Sequence, residues 1–189
     1  MSAWPTPLGR MPNLSKLLDG PALLIKRDDL ITLAFGGTKT RGLECIFADA
    51  VANEADTIIT VDYLEGNLST LVAAAARRLG MEVVLILRDP TGYYPPHVYE
   101  SNLLLKRIMG AQIETVVTAN ESVESGRALA VRKAENIAEQ LRERGRKPYV
   151  ALPENPLWAA GVANTIPELV SQAEWVLVGV RNSLLANRK

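Results

Sequence analysis

The sequence predicts an α/β protein, with an open parallel sheet that carries helices on both faces. Two observations lead to this prediction. Short runs of β-branched and aliphatic residues alternate with helical patterns about a dozen residues long, which is typical of strands joined by crossover helices. In addition, 48% of the 189 residues are hydrophobic, and a chain of this length can bury a substantial core.

The predicted strands are short, and turn signals or helices separate them. Pro148–Leu152 and Trp175–Val180 close the series, and a turn-rich segment, Arg88–Pro96, follows the third strand. Because a helical pattern follows most of the strands, neighbouring strands are expected to run parallel. In chain order the predicted strands are Leu23–Arg27, Thr57–Val61, Glu82–Leu87, Gln112–Val117, Pro148–Leu152 and Trp175–Val180.

The predicted helices have apolar residues at helical spacing and recognisable ends. The first places Leu43, Ile46, Phe47 and Ala50 on one face. Glycines at the ends of the later patterns provide stop signals. In chain order the predicted helices are Thr40–Asn53, Leu68–Leu79, Val98–Met109, Glu121–Arg144 and Leu157–Ala173, the last with a break before Pro167.

Composition excludes several classes of function. The 21 basic and 21 acidic side chains cancel, so the chain lacks the long-range field that attracts nucleic acid or an anionic membrane. A single Cys and a single His argue against a disulfide framework or a Cys- or His-rich metal centre, and the Cys usage suits a reducing cytoplasm. The apolar runs are too short to span a bilayer. We therefore expect a cytoplasmic protein without a metal, nucleic acid or membrane partner.

Unusual polar residues follow two of the predicted strands. Ligands of open α/β sheets bind at the carboxyl ends of the strands. The loops Asp62–Asn67 and Pro153–Pro156 lie at such ends, and each leads into a predicted helix. Backbone N–H groups at the start of a helix can hold an anionic or polar group. These loops are therefore the candidate binding region.

Two segments make a resemblance recognisable: Lys26-Arg-Asp-Asp-Leu30, and Phe35-Gly-Gly-Thr-Lys-Thr-Arg41. The chain resembles the D-cysteine desulfhydrase and 1-aminocyclopropane-1-carboxylate deaminase family, and Thr6–Pro12 looks like the N-terminal signature of that family. The resemblance implies the tryptophan-synthase-β-like fold of type II pyridoxal-phosphate enzymes. It also implies that Lys39 binds the cofactor covalently and that Asn67 contacts its ring hydroxyl. Burial lowers the pKa of a lysine and makes it a better nucleophile, so we expect Lys39 to be buried.

The sequence also departs from the family at the cofactor site. Glu65, Gly66 and Leu68 replace a glutamine, a serine and a histidine, and Asp62 and Tyr63 replace small residues. Leu152-Pro-Glu-Asn155 stands in place of a Gly-Gly-Ser-Asn segment. Where the family has a glycine-rich phosphate turn, this chain has Arg181–Asn187. These departures lead us to expect that no cofactor is bound, with pyridoxal phosphate as the alternative.

The resemblance also predicts the domain organisation. Residues 40–147 correspond to a complete small α/β domain. Residues 1–39 and 148–189 correspond to a reduced remnant of the large cofactor domain, because roughly the second half of a full family member has no counterpart here. The remnant should leave an apolar edge at Leu23–Ile25 and Trp175–Val180. Such an edge invites pairing, so we expect a homo-oligomer or a heteromeric partner chain.

Three hypotheses about function follow. In the first and leading hypothesis, the cleft that holds the cofactor in the family here binds or transforms a small polar or amino-acid-like molecule without the cofactor. Acid–base chemistry would then use Asp62, Glu65 or Glu154, because clustered carboxylates shift one another's pKa, with Lys39 as an electrophile or as their cationic partner. The residues expected to contact the ligand are Tyr63, Asn67 and Asn155.

The second hypothesis is a pyridoxal-phosphate-dependent lyase or deaminase that acts on a small amino acid through Lys39 and is completed by a partner chain. The third is a non-catalytic pseudoenzyme subunit. Simpler interpretations stand beside all three. Lys39 could be a solvated lysine, Asn67 could cap the helix that follows it, and the carboxylates could be hydrated surface groups.

Overall fold

The computed structural model describes residues 4–93 and 100–173, and their fold is α/β, as predicted. Four parallel strands form the main sheet, and a two-stranded antiparallel sheet lies near the N-terminus. The strands are β1 (Leu8–Arg10), β2 (Leu24–Lys26), β3 (Thr57–Tyr63), β4 (Glu82–Asp89), β5 (Gln112–Val117) and β6 (Pro148–Val150). The helices are α1 (Pro12–Leu17), α2 (Lys39–Ala52), α3 (Asn67–Arg78), α4 (Ser101–Ile108), α5 (Val123–Glu143) and α6 (Pro156–Ala163), with a 3-10 turn at Asp28–Leu30.

The main sheet has the strand order β5-β4-β3-β6. β3 pairs with β4 on one side and with β6 on the other, so that Ile59 lies opposite both Val84 and Val150. β3 is one of the two inner strands, and it consists mainly of β-branched residues that are buried over Thr57–Val61.

Alternate residues of β3 face two separate apolar cores. Ile58 packs with residues of α2, α3 and α4, whereas Ile59 and Val61 pack with α5. α5 presents Ala130, Ala134 and Ala138 to the sheet at a spacing of four residues, so small side chains let it approach closely. Both faces of the sheet are therefore covered by helices, as the sequence predicted.

Some elements differ from the prediction. β1 and α1 were not expected, and β2 belongs to the antiparallel sheet with β1. The last predicted helix breaks at Asn164, after which residues 165–173 are again helical. β6 pairs with β3, so the domain boundary predicted at residue 147 separates a strand from its sheet; the division into domains stays a prediction. The strand predicted at Trp175–Val180, the start of the helix predicted at Val98 and the Arg181–Asn187 segment lie outside the described residues.

None of the helices in the described ranges combines the length and apolar character that a bilayer crossing needs.

Candidate functional site

The strand order places β4 and β6 on opposite sides of β3. After β3 the chain continues outward to β4 and then β5, whereas β6 adds on the opposite side of β3. In open α/β sheets, ligands bind at the carboxyl ends of the strands, where the strand order reverses. The ends of β3 and β6 are therefore the candidate region. The candidate segment Asp62–Asn67 runs from the end of β3 to the first residue of α3, and Pro153–Pro156 leads from the end of β6 into α6.

Lys39 and Asn67 meet at this end of the sheet. Lys39 is the first residue of α2, Asn67 is the first residue of α3, and the Lys39 Nζ donates a hydrogen bond to the Asn67 Oδ1. Both residues are exposed, so the predicted burial of Lys39 is wrong within the described part of the chain. The helix starts, and not a buried pocket, bring the amine and the carboxamide together.

The segment before Lys39 has a shape that requires glycine. Gly36 has a φ of 68°, and a Cβ at that position would lie 2.6 Å from the Asp29 carbonyl oxygen. The Gly37 N–H donates to the Asp28 carbonyl oxygen at 2.8 Å. The glycines thus fold the segment against the 3-10 turn and direct the chain into α2.

A buried ionic network anchors α2 immediately after Lys39. Arg41 donates two hydrogen bonds of 2.7 Å to the Asp28 carboxylate and one of 2.9 Å to the Thr6 Oγ1. It also pairs with Glu168 at 3.0 Å, and its guanidinium lies 4.3 Å from the ring centroid of Trp4. Hydrogen bonding by Arg41 holds the pKa of Asp28 below its usual value.

Lys26 extends this network to the C-terminal helical segment. Its Nζ lies 2.6 Å from the Glu168 carboxylate and 2.7 Å from the Gln172 Oε1. The contacts among Lys26, Asp28, Arg41 and their partners were not predicted from the sequence, although these three residues lie in the two segments that carry the family resemblance. The sequence feature that could have indicated this network is the concentration of charged residues in these two segments, which lie in an otherwise apolar region.

Asp62 holds the start of α3. Its Oδ2 accepts hydrogen bonds from the Ser69 N–H and the Ser69 Oγ, both at 2.9 Å, and its Oδ1 accepts from the Tyr63 N–H at 2.8 Å. These contacts make Asp62 a helix-capping group in this structure. Its predicted catalytic role stays a prediction.

Glu65 and Glu154 interact with different parts of the chain. A carboxylate oxygen of Glu65 accepts from the Asn102 N–H at 3.2 Å, and its carbonyl oxygen accepts from the Asn102 side chain at 2.8 Å. Glu154 forms an ion pair with Arg127 on α5 and is largely exposed. Each of the predicted acid–base residues therefore already has a partner of its own.

The remaining predicted ligand contacts, Tyr63 and Asn155, also have structural partners. The Arg88 guanidinium lies 4.0 Å from the ring centroid of Tyr63. Asn155 caps α6, since its Oδ1 accepts from the Leu157 N–H at 3.0 Å, and its amide donates to the Tyr149 hydroxyl at 3.2 Å. Tyr63, the last residue of β3, stays partly exposed, whereas the side-chain oxygen of Asn155 caps α6.

Lys106 is a buried titratable group that sequence reasoning missed. It is fully buried on α4 and donates a hydrogen bond to the Leu64 carbonyl oxygen, in the loop that precedes Asn67. Burial lowers the pKa of Lys106 to about 8, although the nearby charges of Asp62 and Glu65 oppose the shift.

The residues at the helix starts suit part of a pyridoxal phosphate site. A primary amine (Lys39) and a carboxamide (Asn67) are the groups needed to bind an aromatic aldehyde covalently and to contact its hydroxyl. The fully buried Thr40 Oγ1, one residue after Lys39, has no hydrogen-bond partner among the described residues. The segment that would meet the phosphate, Arg181–Asn187, is outside the described ranges. No cluster of metal-ligating side chains occurs within residues 4–93 and 100–173.

Comparisons with known proteins find related sequences over most of this chain. Residues 1–186 match the family model described as pyridoxal-phosphate dependent enzyme. A 1-aminocyclopropane-1-carboxylate deaminase of Burkholderia ambifaria is 36% identical over 176 residues, which are 89% of this chain and 50% of that protein. A Pyrococcus horikoshii protein, provisionally named for the same activity, is 38% identical over 174 residues, or 90% of this chain and 49% of that protein.

Solved structures show the same relationship. The crystal structure of a homologue of ACC deaminase superposes with a TM-score of 0.75 at 34% identity, and the match covers 90% of this chain and 49% of that one. The crystal structure of a threonine deaminase superposes with a TM-score of 0.63 at 23% identity, with 90% and 47% coverage, and supports the fold alone. The chain spans about half the length of the curated relatives it matches.

Proposed function

This chain belongs to the family of pyridoxal-phosphate-dependent enzymes, and on that premise we propose that Lys39 is its covalent attachment point for pyridoxal phosphate. The proposal differs from the leading hypothesis drawn from the sequence, which was that the cleft binds or transforms its ligand without the cofactor. The observation that carries it is the hydrogen bond between the Lys39 Nζ and the Asn67 Oδ1 at the carboxyl end of β3.

In this proposal each residue has a limited task. Lys39 supplies the amine that binds the cofactor, and that amine can also accept or donate a proton at its Nζ. Asn67 orients the ring through its carboxamide. The bound cofactor would act as an electron sink for charge that develops beside the amino group of a substrate. The Arg41 network fixes the first turn of α2, which keeps the Lys39 amine facing Asn67.

The proposed reaction class is deamination or elimination on a small amino acid. Support comes from relatives named 1-aminocyclopropane-1-carboxylate deaminase and from the family match. Contacts to the cofactor phosphate would come from residues outside the described ranges or from a second chain.

Acid–base chemistry without a cofactor is less well supported. Asp62 accepts hydrogen bonds from Ser69 and Tyr63, and Glu154 is paired with Arg127 on α5. Asp62, which accepts three hydrogen bonds, has few lone pairs left for a substrate proton, and the ion pair directs Glu154 toward α5. No observation specifically favours the pseudoenzyme hypothesis, and it stays a prediction.

The test is to add pyridoxal phosphate to the purified protein, record the visible absorbance and trap the adduct with borohydride for peptide mapping. We expect a visible band and a label at Lys39. The band should disappear in Lys39→Ala but persist in Lys147→Ala, a matched loss of a lysine that is exposed and paired with Glu54. Asn67→Ala should weaken cofactor binding about tenfold, which corresponds to one lost hydrogen bond. A label spread evenly over surface lysines, or no band at all, would refute the proposal.

A further inference from the structure

We infer that Asp62 is a positioning residue for Asn67, and that it caps α3 in place of the side chain that residue 66 lacks. This inference deepens the proposed function and rests on it, because Asn67 matters through its pairing with Lys39. The residues concerned lie on one short stretch, from the end of β3 to the first turn of α3.

The first turn of α3 needs an external hydrogen-bond acceptor. The N-terminal N–H groups of a helix have no partner within the helix, and the side chain of the N-cap residue usually supplies one. Here the N-cap is Gly66, which has no side chain. Asp62 reaches across the loop instead, and it accepts from both the N–H and the hydroxyl of Ser69 at 2.9 Å.

Glycine is required at residue 66 because of the Asp62 side chain and not because of the backbone conformation. Its φ of −62° and ψ of 136° are accessible to any L-residue. A Cβ at this position, however, would lie 2.2 Å from the Cγ and from both carboxylate oxygens of Asp62. The Asp62 carboxylate and a side chain at residue 66 therefore exclude each other sterically.

The position of Asn67 depends on this arrangement. Asn67 directly follows Gly66 and precedes Ser69 by two residues, so it lies between the points that Asp62 contacts. The negative charge of Asp62 also suits the positive end of the helix dipole. Asp62 thus acts on Asn67 through the backbone, because it fixes the turn that presents the Asn67 carboxamide to Lys39.

A double-mutant cycle tests the coupling between residues 62 and 66. Asp62→Ala should lower the thermal midpoint by about 2–6 °C because the cap is lost. Gly66→Ser should also lower the midpoint, because its Cβ meets the Asp62 carboxylate. In the double variant the serine can cap α3 from the N-cap position in the vacated space, so Gly66→Ser should raise the midpoint of Asp62→Ala. Additive effects of the two substitutions would overturn the inference.

Positioning is tested separately from stability, and without any ligand. The side-chain amide signals of Asn67, assigned by NMR through their loss in Asn67→Asp, report its hydrogen bond to Lys39. We expect Asp62→Ala to shift these signals toward those of Lys39→Ala, and the double variant to shift them back. Unchanged Asn67 signals in Asp62→Ala would overturn the positioning role. Because no cofactor is present, a failure here is distinct from a failure of Lys39 to bind pyridoxal phosphate.

The cycle decides the question even if Asp62→Ala does not fold. If Asp62→Ala is unfolded but the double variant is folded, the added Gly66→Ser has restored folding, which supports the inference. A double variant that also fails to fold, while Gly66→Ser alone folds, would contradict the inference.

Discussion

Lys106 combines full burial with a hydrogen bond to the loop of the candidate site. It donates to the Leu64 carbonyl oxygen from α4, and burial lowers its pKa from 10.5 to about 8. In the unfolded chain Lys106 recovers its ordinary pKa. The native state therefore binds fewer protons than the unfolded state between these two values.

The pH dependence of stability follows from this difference. Stability rises with pH wherever the unfolded state binds more protons, so the contribution of Lys106 is lost as pH falls from about 10.5 to about 8. We expect the free energy of unfolding of the wild type, relative to Lys106→Met, to increase by about 1–2 kcal/mol between pH 8 and pH 10.

Urea unfolding at several pH values measures this effect. The variant Lys106→Arg is the control, because an arginine keeps its charge throughout this range, and the wild type should gain stability relative to it as well. Parallel stability curves for the three proteins would contradict the assignment.

The sequence identified some residues of the candidate site but not their roles. Lys39 and Asn67 were predicted through the resemblance, and the structure brings them into contact. Asp62 was predicted as an acid, yet its contact with Ser69 spans seven residues and has no local signature. Lys106 looks like an ordinary surface lysine of an amphipathic helix. Only the packing of α4 against the loop before Asn67 reveals its burial.

At the scale of elements, α2 and α6 are packed unusually closely through two glycines. A Cβ on Gly161 of α6 would lie 2.1 Å from the Arg41 carbonyl oxygen, and one on Gly42 of α2 would lie 2.5 Å from the Trp158 ring. The contact places Gly161 directly against the turn of α2 that contains Arg41. The packing of α6 therefore stabilises the same turn of α2 that the buried ionic network holds.

We expect Gly161→Ala to destabilise the protein by about 1–3 kcal/mol, because the new methyl group forces the two helices apart. This cost exceeds the gain of up to about 1 kcal/mol that alanine provides in a helix. Denaturant unfolding gives the value. Gly20→Ala is the matched control, since its Cβ would have no neighbour closer than 3.6 Å and should change stability by less than about 0.5 kcal/mol. A neutral Gly161→Ala would show that the helices can separate freely.

Elements with strong periodicity were predicted well. The strands at 57–63 and 82–89 and the helix at 39–52 appear within a few residues of their predicted ends. The short elements β1 and α1 were missed, because three and six residues are too few to show a period. They are held by non-local contacts, such as the hydrogen bond from the Arg27 N–H to the Pro7 carbonyl oxygen at 2.9 Å.

At the scale of the whole molecule, the sequence predicted a parallel sheet but not its order. Which side of β3 receives β6 depends on contacts between distant residues, such as the hydrogen bond from the Thr60 Oγ1 to the Ala151 carbonyl oxygen at 2.6 Å. β6 adds to β3 on the side opposite β4. The candidate region at these strand ends follows from the general rule that ligand sites lie at strand ends, and its role as a binding site stays a prediction.

The elements α1 and β2 and the helical segment 165–173, together called the N-terminal layer, leave apolar side chains exposed. α1 is tied to the segment before β2 by the hydrogen bond from the Leu23 N–H to the Ser15 Oγ at 2.9 Å, and Lys26 of β2 contacts the helical segment 165–173 through Glu168. On these connected elements Leu17 is 80% exposed and Ile166 is 64% exposed. Exposed apolar surface and unpaired strand edges favour association.

We therefore propose that the protein self-associates through this layer, and we expect sedimentation velocity at micromolar concentration to detect a species larger than the monomer. The combined substitution Leu17→Lys and Ile166→Lys should shift the distribution toward monomer, because burying the two ammonium groups would cost more than the lost apolar contacts provide. Ile108→Lys is the control, since Ile108 is 71% exposed but lies on α4. A wild-type protein that stays monomeric over this concentration range would contradict the proposal. Equal effects of the control and the combined substitution would place the interface elsewhere and contradict it too.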